Sequence, residues 1–206
     1  MNITMLGATG RVGSIFIAKT IEDGHTVKAL VRYSNKTLHD ANSVKSIIGD
    51  ALNPGDIDQV MTDSNMVFCA LSSAGNSTLS KCMPIIIESM KKHHIKRIVT
   101  IGTAGILQAR YEHDLFRFQS SESRNRSTKA TEDHLKAYLL LKESGLDWTV
   151  VCPTYLPDGE CVGSYRFEKD YLPENGRSIS TCDTAEFAYR QLFSDEFLHC
   201  RVGLAY

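Results

Sequence analysis

The apolar run Ile3-Thr4-Met5-Leu6 is followed at once by Gly7-Ala8-Thr9-Gly10-Arg11-Val12-Gly13, and that by Ser14-Ile15-Phe16-Ile17-Ala18. This is a strand, a glycine-rich turn and a helix in direct succession. The first glycine lets the chain reverse tightly, the second lets the backbone approach a phosphate oxygen, and the third lets the helix pack closely on the sheet. Unpaired amide hydrogens and the positive dipole end of the helix then face a pyrophosphate. Because glycine triplets are common, the context carries the weight: the motif opens at residue 7 and a second strand follows the helix. Gly7, Thr9, Gly10, Arg11 and Val12 are the expected contacts of that turn.

Strand-like and helical runs alternate from there on, the pattern of βαβ units and a parallel sheet. Strands are expected over residues 2–6, 26–31, 44–48, 65–71, 97–101, 147–152 and 200–205, with short strand-like pieces at 165–167 and 177–179. Helices are expected over 12–22, from Asn53-Pro54-Gly55 onward, over 76–92, over 128–144 and from Thr181 or Asp183 to about Phe193. Asn53 is the candidate N-cap of the second helix, with Pro54 at its first position, and Pro84 should kink the third or mark its first full turn. The expected fold is a doubly wound, three-layer α/β/α Rossmann-type sheet in one domain. Residues 1–153 would be the nucleotide-binding core and 154–206 a small irregular substrate-side region. Residues 108–127 turn polar and lose their period, which suits a flap or a partner-contacting segment.

A net charge of −1 gives no global electrostatic case for nucleic acid or an anionic membrane. The longest apolar stretches are too short to cross a bilayer. The amino terminus enters a strand without a basic leader region, so a cytoplasmic protein with a small-molecule substrate is expected, a homodimer being the assembly considered. The six cysteines show no C-x-x-C pair and no histidine at zinc spacing, so neither a metal site nor a disulfide framework is expected. His93-His94, beside Lys91 and Lys92, reads as dipole compensation at a helix end.

The second strand decides which nucleotide fits. An acidic residue for the ribose 2′-hydroxyl of NAD belongs about twenty residues past the glycine turn. Here Val31 is followed by Arg32-Tyr33-Ser34-Asn35-Lys36. A 2′-phosphate is matched by a planar guanidinium making two charge-assisted bonds, so Arg32, with Arg11 as a second clamp, points to NADP(H). Asp50, beside Ala51, could meet the adenine amino group or serve as an Asx-turn residue. Ala70, Leu71 and Ser72 would pack against the nicotinamide-side ribose.

The glycine turn, Leu30-Val31-Arg32, Gly49-Asp50, Ile101-Gly102-Thr103-Ala104-Gly105 and the run from Ser144 to Pro153 occur in one order. Together with Ile179 to Ala185 they resemble the atypical short-chain dehydrogenase/reductase superfamily. The resemblance is to its small NAD(P)H-binding branch, which includes NmrA-like proteins and the flavin/biliverdin reductase B type, and it spans nearly the whole chain. It implies a Rossmann-type sheet, NADP(H) and a shallow substrate pocket, with Thr103 standing where reductase relatives carry a serine and Lys129 at the expected lysine position. Pro153 is carried over as a cofactor contact. Two departures stand out: Cys152-Pro153 replaces the usual Arg-Pro, and Asn125 holds the place of the catalytic tyrosine. Tyr138 and Lys142 have the tyrosine–lysine spacing, but too far along the helix. The function expected is an NADPH-dependent reductase of a planar or carbonyl-bearing acceptor of flavin or quinone type, with Thr103 and Lys129 as catalytic candidates. The alternative is a non-catalytic NADP(H)-sensing regulator; a sugar-nucleotide epimerase or dehydratase ranks below both.

Overall fold

A computed structural model describes residues 1–33, 43–73, 77–123 and 127–206. Its strands are β1 (Asn2–Leu6), β2 (Thr26–Val31), β3 (Val44–Ile48), β4 (Met66–Cys69), β5 (Arg97–Ile101), β6 (Asp147–Pro153), β7 (Arg166–Lys169) and β8 (Cys200–Ala205). They form a single sheet in the order β3-β2-β1-β4-β5-β6-β8-β7. Every pairing is parallel except that of the edge strand β7 with β8. The first six strands therefore carry the 3-2-1-4-5-6 order of a dinucleotide-binding sheet, with the reversal between β1 and β4.

Strands covered on both faces should be apolar throughout, and Met66–Cys69 and Cys200–Ala205 are buried at every residue. Helices α1 (Arg11–Glu22) and α5 (Thr181–Leu192) pack together on one face; α2 (Pro54–Met61), α3 (Thr78–Lys92) and α4 (Lys129–Lys142) cover the other. On the first face Phe16 stacks on Phe68 with ring centroids 3.7 Å apart, and Tyr189 meets Phe16 edge-on at 5.6 Å. On the second, Ile57, Met83, Ile86 and Leu141 are fully buried or nearly so. Among the described residues no helix is long and apolar enough to cross a membrane.

Caps explain where the helices start. Asn53 accepts from Gly55 N at 2.8 Å with Pro54 in the first turn, as the sequence indicates. Helix α3 has a cap that no local pattern announces: the buried Asp133 of α4 accepts from Leu79 N at 3.0 Å and Ser80 N at 2.9 Å. Pro84 lies inside α3, beyond its first turn. Replacing Asp133 with alanine leaves two amides in that turn without their acceptor and is expected to cost about 2–4 kcal/mol, read as a lowered urea midpoint.

Several expectations are corrected. Residues 177–179 form no regular strand but a single bridge, Tyr155 with Ser178, because Ser180 immediately caps α5 by accepting from Asp183 N at 3.0 Å. That cap is neither Thr181 nor Asp183. Cys161 and Cys182 form a disulfide across a separation of 21 residues, brought together by a loop that folds back over the first turn of α5, which no local cysteine spacing signals. Of the 108–127 segment, residues 108–123 are tied to the sheet edge: Gln108 N donates to Asp170 O at 2.8 Å and Arg110 pairs with Glu168 at 2.7 Å. Residues 34–42 with Lys36, the Ala74-Gly75 pair, Asn76 at the expected start of α3, and Asn125 lie outside the described residues.

Candidate nucleotide-binding site

The carboxyl ends of β1, β2, β3 and β4 surround a cleft of about 530 Å³ at the reversal of strand order. Its floor is the glycine turn. Gly7 has φ +90°, and a Cβ there would lie 2.5 Å from Ala70 O, so the turn presses directly on the end of β4. A Cβ on Gly13 would lie 2.2 Å from Gly7 O, so α1 begins as close to the turn as backbone permits. Gly10 caps α1 without any side-chain acceptor, and the first turn of the helix carries no acidic residue. The amides that open α1 are left for an anion. This cradle, whose close backbone contacts leave no room for a Cβ at Gly7 or Gly13, fits the diphosphate of a dinucleotide.

Of the residues expected at the nucleotide, Gly7, Thr9, Gly10, Arg32, Asp50, Ala51, Ala70, Leu71 and Ser72 line the cleft. Arg32 is exposed at the end of β2. Asp50 is fixed in an Asx turn, its Oδ1 accepting from Leu52 N at 2.9 Å, while its own amide donates to Asp56 Oδ2 at 2.8 Å. This rim of the cleft is thus held by α2. Val12 is buried in the first turn of α1, where only its amide can serve.

Arg11 points elsewhere. Its guanidinium donates to Leu156 O at 2.8 Å and pairs with Asp158 at 3.1 Å, in the segment that follows β6. The second cation on the cleft wall is instead Lys81 of α3, together with Thr78. Sequence reading missed both, yet a signal existed: positions three apart in the first turns of the helix after β4 share one face.

Thr103, Lys129 and Pro153 lie outside that cleft. Pro153 is buried at the end of β6, and Thr103 is half-buried in the turn after β5. Lys129 is exposed as the first residue of α4. The two neighbourhoods meet, since a Cβ on Gly105 would come 2.6 Å from the side chain of Thr131. Tyr138 is a core residue: it meets Trp148 edge-on at 5.7 Å, lies under the Arg201 guanidinium at 4.9 Å, and burial pushes its phenol up.

His134, one turn before Tyr138, is a further feature that sequence reading missed. Burial lowers its pKa from 6.5 to about 4, the charge of Asp133 opposing that shift. Because the unfolded chain takes up this proton near pH 6.5 and the folded one only near 4, stability tied to neutral His134 is lost as pH falls through that window. The loss is expected to be on the order of 3 kcal/mol, and His134→Leu should flatten the difference between urea midpoints at pH 7 and pH 4.5. Among the described residues one group, Cys161, Asp183 and Glu186, has metal-ligand spacing, but the disulfide occupies its sulfur.

A family model described as NAD(P)H-binding matches residues 7–195. Three solved structures are similar over the whole chain. The "putative epimerase" of Bacteroides thetaiotaomicron is 26% identical, with 100% of this chain and 96% of that one covered at a TM-score of 0.87. The "putative NADH-flavin reductase" of Streptococcus pneumoniae is 21% identical, with 100% and 99% covered at 0.84. A wide-type short-chain dehydrogenase/reductase of Veillonella parvula, in complex with NADP, is 21% identical, with 100% and 94% covered at 0.78.

Proposed function

Because the chain belongs to the NAD(P)H-binding family, we propose that it is an NADPH-dependent oxidoreductase that reduces a small planar or carbonyl-containing acceptor of flavin or quinone type. The observation that carries the choice of NADPH is the cleft itself, where Arg32 and Lys81 line the walls and β2 ends without an acid. Such a pair of cations matches a 2′-phosphate and leaves the ribose diol of NAD without its usual carboxylate. The solved relative in complex with NADP supports the same assignment.

The bound nucleotide supplies the hydride. The protein places it: the glycine turn and the opening amides of α1 hold the diphosphate, and Arg32 and Lys81 hold the adenosine end. Ala70 to Ser72 line the cleft at the end of β4, and Thr103, in the turn after the neighbouring β5, can donate a hydrogen bond that orients the acceptor. Lys129 opens α4 beside that turn and can contact ribose or phosphate. Tyr138 is packed in the core, so general-acid chemistry from it is not part of the reading. A flavin- or quinone-like ring suits such a site, because it stacks on nicotinamide and draws its proton from water.

The proposed compartment is the cytoplasm, and the proposed placement within the superfamily is the branch of NmrA-like and flavin reductase B-like proteins. Residues 1–153 serve the nucleotide and 154–206 the substrate side. NADPH consumption with FMN, quinones and simple aldehydes tests the reading. Thr103→Ala is expected to lower turnover about 10-fold or more with NADPH affinity unchanged. Tight NADPH binding with no oxidation by any acceptor would instead favour a nucleotide-sensing regulator.

A further inference from the structure

Residues 154–163 form a strap between the start of α1 and the start of α5. Ile179 N donates to Tyr155 O at 3.0 Å and Thr181 N to Pro157 O at 3.1 Å. At the other end Val162 N and Gly163 N donate to the Asp183 carboxylate at 3.1 and 2.9 Å. Between these anchors lies the arc from Asp158 to Cys161. At one end of it Asp158, with Leu156 O just before, takes the Arg11 guanidinium; at the other Cys161 is bonded to Cys182, the second residue of α5. One cross-link thus adds a covalent tether, three residues along the chain, to the arc whose Asp158 carboxylate pairs with Arg11.

The sulfurs differ in access. Cys161 is exposed and Cys182 half-buried, whereas Cys69, Cys82, Cys152 and Cys200 are buried and free. Cys161 is the more exposed end of the bond, the one a thiol meets first in the folded protein. Cys182 sits where the amides and dipole of a helix N-terminus stabilise a departing thiolate.

We propose that Cys161–Cys182 is a thiol–disulfide exchange site, served by low-molecular-weight thiols, whose state decides whether Arg11 is held by Asp158 or released to the nucleotide's phosphates. A small thiolate attacks Cys161 sulfur, forming a mixed disulfide there as the Cys161–Cys182 bond breaks and Cys182 leaves as thiolate. A second small thiolate attacks the outer sulfur, releasing Cys161 as thiolate and the oxidised small disulfide. In sum two small thiols and the protein disulfide give the protein dithiol and one small disulfide, and the reverse sequence closes the strap. The carboxylates of Asp183 and Glu186 lie within 4.8 Å of the Cys161 sulfur and Glu160 precedes it in the chain, so a thiol bearing an ammonium group exchanges faster than one bearing a sulfonate.

With the bond open, the hydrogen bonds at Pro157, Val162 and Gly163 remain but the arc between them loses its covalent tether to α5, and Arg11 at the first position of α1 can turn to the anion its helix faces. The Arg11–Asp158 pair is exposed, so the gain is bounded by what such pairs contribute, no more than about fivefold in NADPH affinity. This coupling rests on the NADPH reading above; the exchange itself does not.

The test equilibrates the folded protein with cysteamine, glutathione or mercaptoethanesulfonate, counts thiols by alkylation and mass, and measures NADPH Kd in both states by calorimetry. Expected are two newly alkylated cysteines without denaturant, cysteamine reacting fastest, and tighter NADPH binding after reduction. Asp158→Asn is expected to bind tightly in both states. A bond that opens only in denaturant overturns the exchange site. Equal affinities in the two states, or a redox difference that persists in Asp158→Asn, overturns the Arg11 coupling. Exchange that proceeds while neither state binds any nicotinamide nucleotide contradicts the functional reading and the coupling with it, while alkylation still supports the exchange site.

Discussion

Gly7→Ala is expected to lower the melting temperature by roughly 6–18 °C and to abolish dinucleotide binding at concentrations that saturate the native protein. Two costs add. The backbone at residue 7 has φ +90°, a conformation that costs a non-glycine residue about 1–3 kcal/mol. The new methyl would also lie 2.5 Å from Ala70 O, against strand backbone that cannot yield as a side-chain tip does, which adds about 1–3 kcal/mol. Relief comes only if the turn moves off β4, and that movement spoils the cradle under the diphosphate. Gly24→Ala separates the two costs: Gly24 has φ +75° with nothing within 4 Å of its Cβ position, so it should show the strain alone. A Gly7 variant no less stable than the Gly24 variant would contradict the close contact of turn and strand.

Arg32→Ala should weaken NADPH by roughly 10- to 100-fold and NADH by less than about threefold, the difference expected for losing charge-assisted bonds to a 2′-phosphate. Lys81→Met should act in the same direction with a smaller effect, since an ammonium presents a point charge where a guanidinium presents a fork. The pair lines one cleft from separate elements, β2 and α3, so its members are expected to be less than additive if both touch one phosphate. Binding titrations of the single and double variants with both nucleotides, repeated at raised salt, provide the check. Equal losses for NADPH and NADH would remove the 2′-phosphate from the account.

Much of this architecture was legible in the sequence because it is written in local chemistry. Strand runs, the glycine turn, Asn53-Pro54 and the end of β2 at Arg32 are each decided by neighbours in the chain, and the cleft collects nine of the expected cofactor residues. What the sequence hid depends on contacts between distant segments. Asp133 reads as an ordinary helix acid until α3 is laid across it. Arg11 reads as a phosphate clamp until residues 154–163 return and offer Asp158. The cysteines at 161 and 182 have no motif, and their pairing needs the loop to close over α5. Lys81 carries no motif of its own, and its role at the cleft shows only once the first turns of α3 are laid beside the ends of β1 and β4. Thr103 and Lys129 stand on neighbouring elements outside that cleft, so no local pattern ties them to it.

The central claim is that amides opening α1 hold a diphosphate while Arg32 selects the phosphorylated adenosine. Isothermal titration of the native protein with NADPH and with NADH tests it most directly. The account predicts saturable heat at one site per chain and an affinity for NADPH about 10-fold or more above that for NADH. Folded protein that gives no heat with either nucleotide, or that prefers NADH, would contradict it.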